Sequence, residues 1–215
     1  MRAGRTAIAA LPAIVLLVGC GGGGGGTSSV ALPAGCAKVS APPAKQVHLS
    51  RPTGTLSGPA TATVETSCGT FTIALDTARA PKTTASFAYL ARHGVYDDTT
   101  FHRIVPGFLI QGGDPTGTGT GGPGYFVDEP PPSSLSYTQG IVAMAKSPVE
   151  PPGRSGSQFF VVTSPDAGLT PDSALIGHVA SGFDVVERIE QLGTPGPRGT
   201  PKAPVLIRRV TVKGG

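Results

Sequence analysis

From residue 61 onward, glycine and proline cut the chain into short apolar runs, and that punctuation most constrains what it can fold into. Runs of roughly four to eight residues between turn signals suit strands, whereas helices need an apolar stripe sustained over roughly ten or more. Gly 32 and Pro 22 make up a quarter of the 215 residues, a level at which low-complexity disorder becomes plausible. Their distribution argues against it. Six glycines form one run at 21–26, and beyond residue 61 the rest alternate with apolar segments, as in an all-β domain with many tight turns. The length accommodates one core plus extensions rather than two full-sized domains.

The N-terminus has a different character. Arg2 and Arg5 precede an apolar stretch over residues 7–18, which suits the h-region of an export signal and is too short to span a bilayer. It ends in Leu17-Val18-Gly19-Cys20, which resembles a bacterial lipobox, where the leader is cleaved ahead of a cysteine whose thiol carries a diacylglyceryl group. The expected organisation is a signal peptide over 1–19, a lipidated Cys20 and Gly-rich leash over 20–29, a Pro-rich extended arm over 30–60, and the domain over 61–215. The expected location is extracytoplasmic, anchored to a bacterial membrane through Cys20. There Cys36 and Cys68 are a leftover even pair, for which a bridge is the simpler expectation and buried free thiols the alternative. No Cys or His stands at ligand spacing beside either, so no metal is expected. The net charge is +4 and the longest Lys/Arg cluster is Arg208-Arg209, which gives no nucleic-acid footprint.

Within the domain, residues 61–66 and 70–75 flank Ser67-Cys68-Gly69. Phe71, Ile73 and Leu75 alternate with Thr72 and Ala74 at the strand period, so a hairpin is expected. Pro81 can open a helix; Thr84, Phe87 and Ala91 then share one face, and Gly94 can end it. Further short apolar runs lie at 101–105, 108–111, 141–145, 159–163 and 174–179. A second helix is expected over 183–192 and a last strand over 205–213.

Gly117-Thr118-Gly119-Thr120-Gly121-Gly122 fits G-x-G-x-x-G, but Pro123-Gly124 follows where a dinucleotide site needs a helix. No G-x-S-x-G, G-x-x-x-x-G-K-[ST] or H-E-x-x-H occurs, and His48, His93, His102 and His178 are scattered, so hydrolase and zinc chemistry find no support. One pattern remains: Phe101-His102-Arg103-Ile104-Val105-Pro106-Gly107-Phe108-Leu109-Ile110-Gln111-Gly112-Gly113-Asp114, with Gly156-Ser157-Gln158-Phe159-Phe160 downstream. Together these resemble the cyclophilin family of peptidyl-prolyl cis/trans isomerases, and the resemblance covers residues 61–213.

The resemblance implies a closed eight-stranded antiparallel β-barrel capped by two α-helices, with an active groove outside the barrel. It implies Arg103 as the catalytic arginine, supported by Phe108 and Gln111. It also implies a substrate-binding surface including Leu109, Gly119, Ala145, Gln158, Phe160 and Leu169. Such an enzyme twists an X-Pro amide without breaking a bond and needs no cofactor. The expected partners are proline-containing polypeptides, the membrane through Cys20 and no nucleic acid, with the chain a monomer. His102 is expected to be structural. A proline-peptide binding or holdase module with little turnover is the alternative, though a pure binder has no need of Arg103. The sequence departs from the family pattern at the longer segment 146–155, with Lys146 where Asn is usual, and at Gly168 and Ser173 in place of Trp and His. The Gly168 departure implies poor sensitivity to cyclosporin.

Overall fold

The computed structural model describes Met1 and residues 30–215; the expected leader, Cys20 and the Gly-rich leash lie outside the described residues. The first hairpin pairs β1 (Ala60–Thr66) with β2 (Gly69–Leu75) in a register that sets Thr66 opposite Gly69. Ser67 and Cys68 form the turn, where the Cys68 N–H donates to Thr66 Oγ1 (3.0 Å) and that hydroxyl donates to the Gly69 carbonyl (2.7 Å). Alternate side chains Ala62, Val64, Phe71 and Ile73 are buried, which is the inward face the two-residue period predicts.

Helix α1 (Pro81–Arg92) starts at the expected proline and buries Thr84, Phe87 and Ala91. No side chain of its own caps it; the Glu129 carboxylate accepts from the N–H groups of Lys82 (3.1 Å) and Thr83 (2.7 Å), filling the role of an N-cap from across the fold. There follow β3 (Thr99–Thr100), β4 (Arg103–Val105), β5 (Leu109–Gly112), β6 (Val127–Asp128), β7 (Ile141–Met144), β8 (Arg154–Ser155), β9 (Phe159–Val162), β10 (Leu175–Ser181), α2 (Phe183–Glu190) and β11 (Leu206–Gly214). Helix α2 ends two residues short of the expected 192, and β11 is displaced by one residue from the expected strand.

The architecture is mostly β with two helices, and its main sheet is curled. Nine antiparallel strands run in the order β3-β11-β1-β2-β10-β7-β9-β5-β4, while β6 and β8 form a separate ribbon. The main sheet holds one strand more than the expected eight because Thr99–Thr100, upstream of the run 101–105, pairs with β11 as a strand of its own. Phe101 is drawn into the core, edge-on to Phe159 at 6.1 Å, and the ladder stops on either side of it. Phe87 and Tyr96 complete this aromatic cluster beneath α1.

The arm expected over 30–60 is irregular as far as residue 59, Ala60 already belonging to β1, and it is docked rather than free. Cys36 and Cys68 form a disulfide. The N–H groups of Ala37, Lys45, Leu49 and Leu56 donate to the carbonyls of Ser67, Pro115, Pro123 and Pro81. Leu56 is buried, and Leu32, Val47 and Leu49 pack against the core. Their spacing along the arm carries too little periodicity to read as an element, yet each one removed from water holds the arm to the domain.

Candidate active site

The hairpin of β4 and β5 places Arg103 directly opposite Gln111. In the next ladder Gln111 lies opposite Phe160, and Phe160 in turn lies opposite Ala143 of β7. Three neighbouring strands therefore carry the charge, the amide and the aromatic ring at one level of the sheet. Arg103 Nη1 donates to Gln111 Oε1 (3.3 Å) and Nε to the Pro197 carbonyl (3.0 Å), while the guanidinium carbon lies 5.7 Å from the Phe108 ring centroid. Gln111 Nε2 donates to Gln158 Oε1 (3.0 Å), and Gln158 Nε2 to the Gly121 carbonyl (3.0 Å). The Ala145 N–H donates to the Gln158 carbonyl (2.8 Å). Burial lowers the pKa of Arg103 from its ordinary value, yet a guanidinium stays protonated at neutral pH.

Beside this polar chain lies an apolar cluster in which Phe160 and Leu109 are buried and Phe108 and Ala145 are half-buried. Tyr137 supports it from below, its ring 6.1 Å from that of Phe160. The Tyr137 hydroxyl donates to the Ser173 carbonyl (2.6 Å) and accepts from the Ser173 N–H (2.9 Å), which fixes the ring. Nothing in the local pattern around Tyr137 distinguishes it, so sequence reasoning missed it. Leu169 stands apart, 37% exposed on the loop after β9.

Gly119 belongs to the glycine run, whose organising group is Asp114. That carboxylate accepts from the Thr116 N–H and hydroxyl (2.7 and 2.8 Å), the Gly119 N–H (2.6 Å) and the Gly121 N–H (3.1 Å). Burial alone raises its pKa, but these donors hold it below the ordinary carboxylate value. A side chain at Gly121 would put a Cβ 2.1 Å from Asp114 Oδ1, so the glycine is needed for close approach. The run is thus a loop wrapped round an internal anion rather than a phosphate cradle. His102 lies beside Gly119, its pKa lowered by burial.

The longer segment is tied down by ion pairs. Lys146 Nζ pairs with Asp172 (2.6 Å), and Arg154 forks onto Asp128 from Nε (2.8 Å) and Nη2 (3.0 Å), tying the segment to the β6·β8 ribbon. Gly168 has φ 62° and open space around it. Among the described residues no group of three or more His, Cys, Asp or Glu is placed to hold a metal ion, and no helix is long and apolar enough to cross a membrane.

Comparison with known proteins bears on the family and the fold. The family model described as cyclophilin type peptidyl-prolyl cis-trans isomerase/CLD matches residues 61–212. Peptidyl-prolyl cis-trans isomerase-like 1 of Neurospora crassa is 44% identical over 135 residues, covering 61% of this chain and 81% of that protein. The protein of the same name from Aspergillus oryzae is 39% identical over 155 residues, covering 70% of this chain and 94% of that protein. A crystal structure of a Cryptosporidium parvum cyclophilin type peptidyl-prolyl cis-trans isomerase superimposes with TM-score 0.66 at 31% identity, covering 74% of this chain and 99% of that one. The same protein in the presence of dipeptide ala-pro superimposes with TM-score 0.65.

Proposed function

Because the chain belongs to the cyclophilin-type peptidyl-prolyl cis-trans isomerases, we propose that its isomerase site is the Arg103, Gln111 and Phe160 constellation and that its substrates are proline-containing polypeptides. Resonance sets a barrier of about 18–20 kcal/mol to rotation about an X-Pro amide, and uncatalysed exchange takes tens of seconds or more. In the twisted state resonance is lost and the proline nitrogen can accept a hydrogen bond. Arg103 serves as the donor, because two of its nitrogens are already held by Pro197 and Gln111 and the fork is rigid before substrate arrives. Phe108, Leu109, Ala145 and Phe160 receive the ring and exclude water, with Leu169 at the exposed margin. Gln158 and Gly119 border the peptide.

The single observation that carries this reading is the continuous hydrogen-bonded chain from Arg103 through Gln111 and Gln158 to Gly121, set against the apolar cluster. NMR exchange between cis and trans forms of an X-Pro peptide tests it. Acceleration by the parent that falls about 10²-fold in Arg103→Ala is the expected result, and peptide binding without acceleration would favour the holdase alternative.

The finer architecture belongs to the same proposal. β3 and β4 are separated by Phe101 and His102 alone, and a bridge joins Thr100 to Asp114 just beyond β5. Taken as one bent strand, they close the sheet into a ring of eight. Cys20 carries a lipid and the monomeric enzyme serves exported chains; the support is the leader pattern over 1–19 and the Cys36–Cys68 bridge, while the relatives described above are eukaryotic. Intact mass of membrane-recovered protein tests the anchor, and an N-terminus lacking acyl mass on Cys20 rules it out.

A further inference from the structure

The family match begins at residue 61, yet part of the groove is walled by residues that precede it. A cavity of about 620 Å³ adjoins Gln111, Ala145 and Gln158 and is bounded in part by Gln46, Val47 and His48 of the arm. This wall is held at both ends. The Lys45 and Leu49 N–H groups donate to the Pro115 (2.8 Å) and Pro123 (2.9 Å) carbonyls, and the Lys45 ammonium donates to the carbonyls of Gly94, Val95 and Asp97. Between these pins Val47 packs against the core and Gln46 and His48 are exposed. Neither Gln46 nor His48 makes a side-chain hydrogen bond among the described residues, so both are available to a ligand.

The cations around the cavity are already paired. Lys146 is 4% exposed at its side chain and sits on Asp172; Arg154 forks onto Asp128; Glu150 accepts from the Ser147 N–H at 2.5 Å. An anionic guest would shed water without gaining an unpaired cation, and a cationic guest would find only Glu150, which already lies in the field of the Arg154 guanidinium. What remains unpaired is neutral. Ser157 is 1% exposed, lines the cavity and has no partner for its hydroxyl, and the lining also offers the apolar faces of Val47, Pro123 and the half-exposed ring of Phe126.

We propose that Gln46, Val47 and His48 form a specificity-determining wall, completing a subsite that favours a bulky uncharged side chain, above all an aromatic one, on a substrate residue flanking the proline. An aromatic guest buries its faces against Val47, Pro123 and Phe126 and turns its edge to the free amide and imidazole. The subsite rests on the isomerase reading, and the arm rather than the matched domain sets its preference.

The test uses the full chain and a set of X-Pro peptides of one length that differ only in one flanking residue, Ala, Phe, Glu or Lys, at each flanking position in turn. The parent should prefer Phe over Glu and Lys by about tenfold in kcat/KM at one position. The Gln46→Ala/His48→Ala double variant, altered only at exposed side chains, should lower the Phe-to-Ala ratio at that position by about fivefold while holding the Ala peptide within about twofold of the parent. An unaltered ratio, a parallel fall on every peptide, or a parent preference for Glu or Lys would overturn the subsite alone. A parent that accelerates none of the peptides would overturn the isomerase reading and the subsite with it. Replacing residues 45–49 by a Gly-Ser segment is the second variant; it should abolish the preference, and its retention would also count against the wall.

Discussion

Replacing Arg103 separates a twisting catalyst from a binding surface, and the structure sets the size of the effect. The guanidinium is half-buried on β4, tied through Nε to the Pro197 carbonyl at 3.0 Å and through Nη1 to Gln111 at 3.3 Å, with its carbon 5.7 Å from the Phe108 ring centroid. Those restraints meet the main requirement for electrostatic catalysis, that the donor be positioned before the transition state forms. Removing one preorganised donor costs about 2.7–4 kcal/mol, or about 10²–10³ in rate. Half exposure to water weakens the field, which favours the lower end, about 10²-fold in kcat/KM for Arg103→Ala. Arg103→Lys keeps the charge but replaces a rigid fork by a hydrated point charge on a flexible stem, so a loss of about tenfold is expected. Cis/trans exchange of a saturating X-Pro peptide followed by NMR reads the rate, and a titration reads affinity, which should change far less because the donor acts mainly on the twisted state. An unchanged rate in Arg103→Ala would refute the mechanism. A fall in affinity equal to the fall in kcat/KM would show that Arg103 binds ground and twisted states alike.

Phe160→Ala removes a ring that is 4% exposed and packed on Tyr137; a stability loss of about 3–5 kcal/mol by denaturant melting should accompany weaker peptide binding, and retained affinity would show the pocket to be misassigned. The Cys36–Cys68 bridge closes a sequence separation of 32, so the Cys36→Ser/Cys68→Ser variant should lose roughly 3–4 kcal/mol under non-reducing conditions; equal denaturation midpoints would contradict this. Asp114 has a folded pKa below its ordinary value, so its stabilisation is fully present above the unfolded value of about 3.9 and is lost as pH falls through the lower folded value. Asp114→Asn should therefore lower Tm at neutral pH and flatten the acid limb of the Tm profile, and superimposable profiles would exclude this role. With open space at Gly168 where the family resemblance implies a cyclosporin contact, an active chain should be poorly inhibited by cyclosporin, and potent inhibition would show Gly168 to be misplaced.

Part of the candidate site was legible before any fold was known because Arg103, Phe108, Leu109, Gln111, Gln158 and Phe160 lie in two contiguous stretches, whereas Gly119, Ala145 and Leu169 lie outside them. Arg103, Phe108, Leu109 and Gln111 belong to one hairpin, and a hairpin of known turn length dictates which side chains face each other. Gln158 and Phe160 come from the second stretch; the β5·β9 ladder sets Phe160 opposite Gln111, and Gln158, just ahead of β9, accepts a hydrogen bond from the Gln111 amide. The glycine run illustrates the limit of such reading. Its spacing matches a phosphate-binding pattern, and only the fold reveals that its N–H groups surround Asp114.

Local signals determined the elements with local causes: the hairpin turn at Ser67-Cys68, the helix opening at Pro81, and the alternation of Phe71, Ile73 and Leu75. Each depends on backbone preferences or on a period expressed within a few residues, so the sequence alone carries it. The tertiary structure decided everything whose partner is distant in the chain. Glu129 caps α1 across 46 residues, Tyr137 props Phe160 while holding Ser173, and the break at Phe101 follows from what its ring meets in the core. The arm is the fullest case. Its prolines exclude a ladder and, apart from a short stretch over residues 45–49, its apolar residues follow no sustained period, so nothing local says what Lys45 and Leu49 would hold on to as anchors. They acquire that role only because the folded domain presents the Gly94, Val95, Asp97, Pro115 and Pro123 carbonyls where the arm passes, and buried or half-buried carbonyls must find donors.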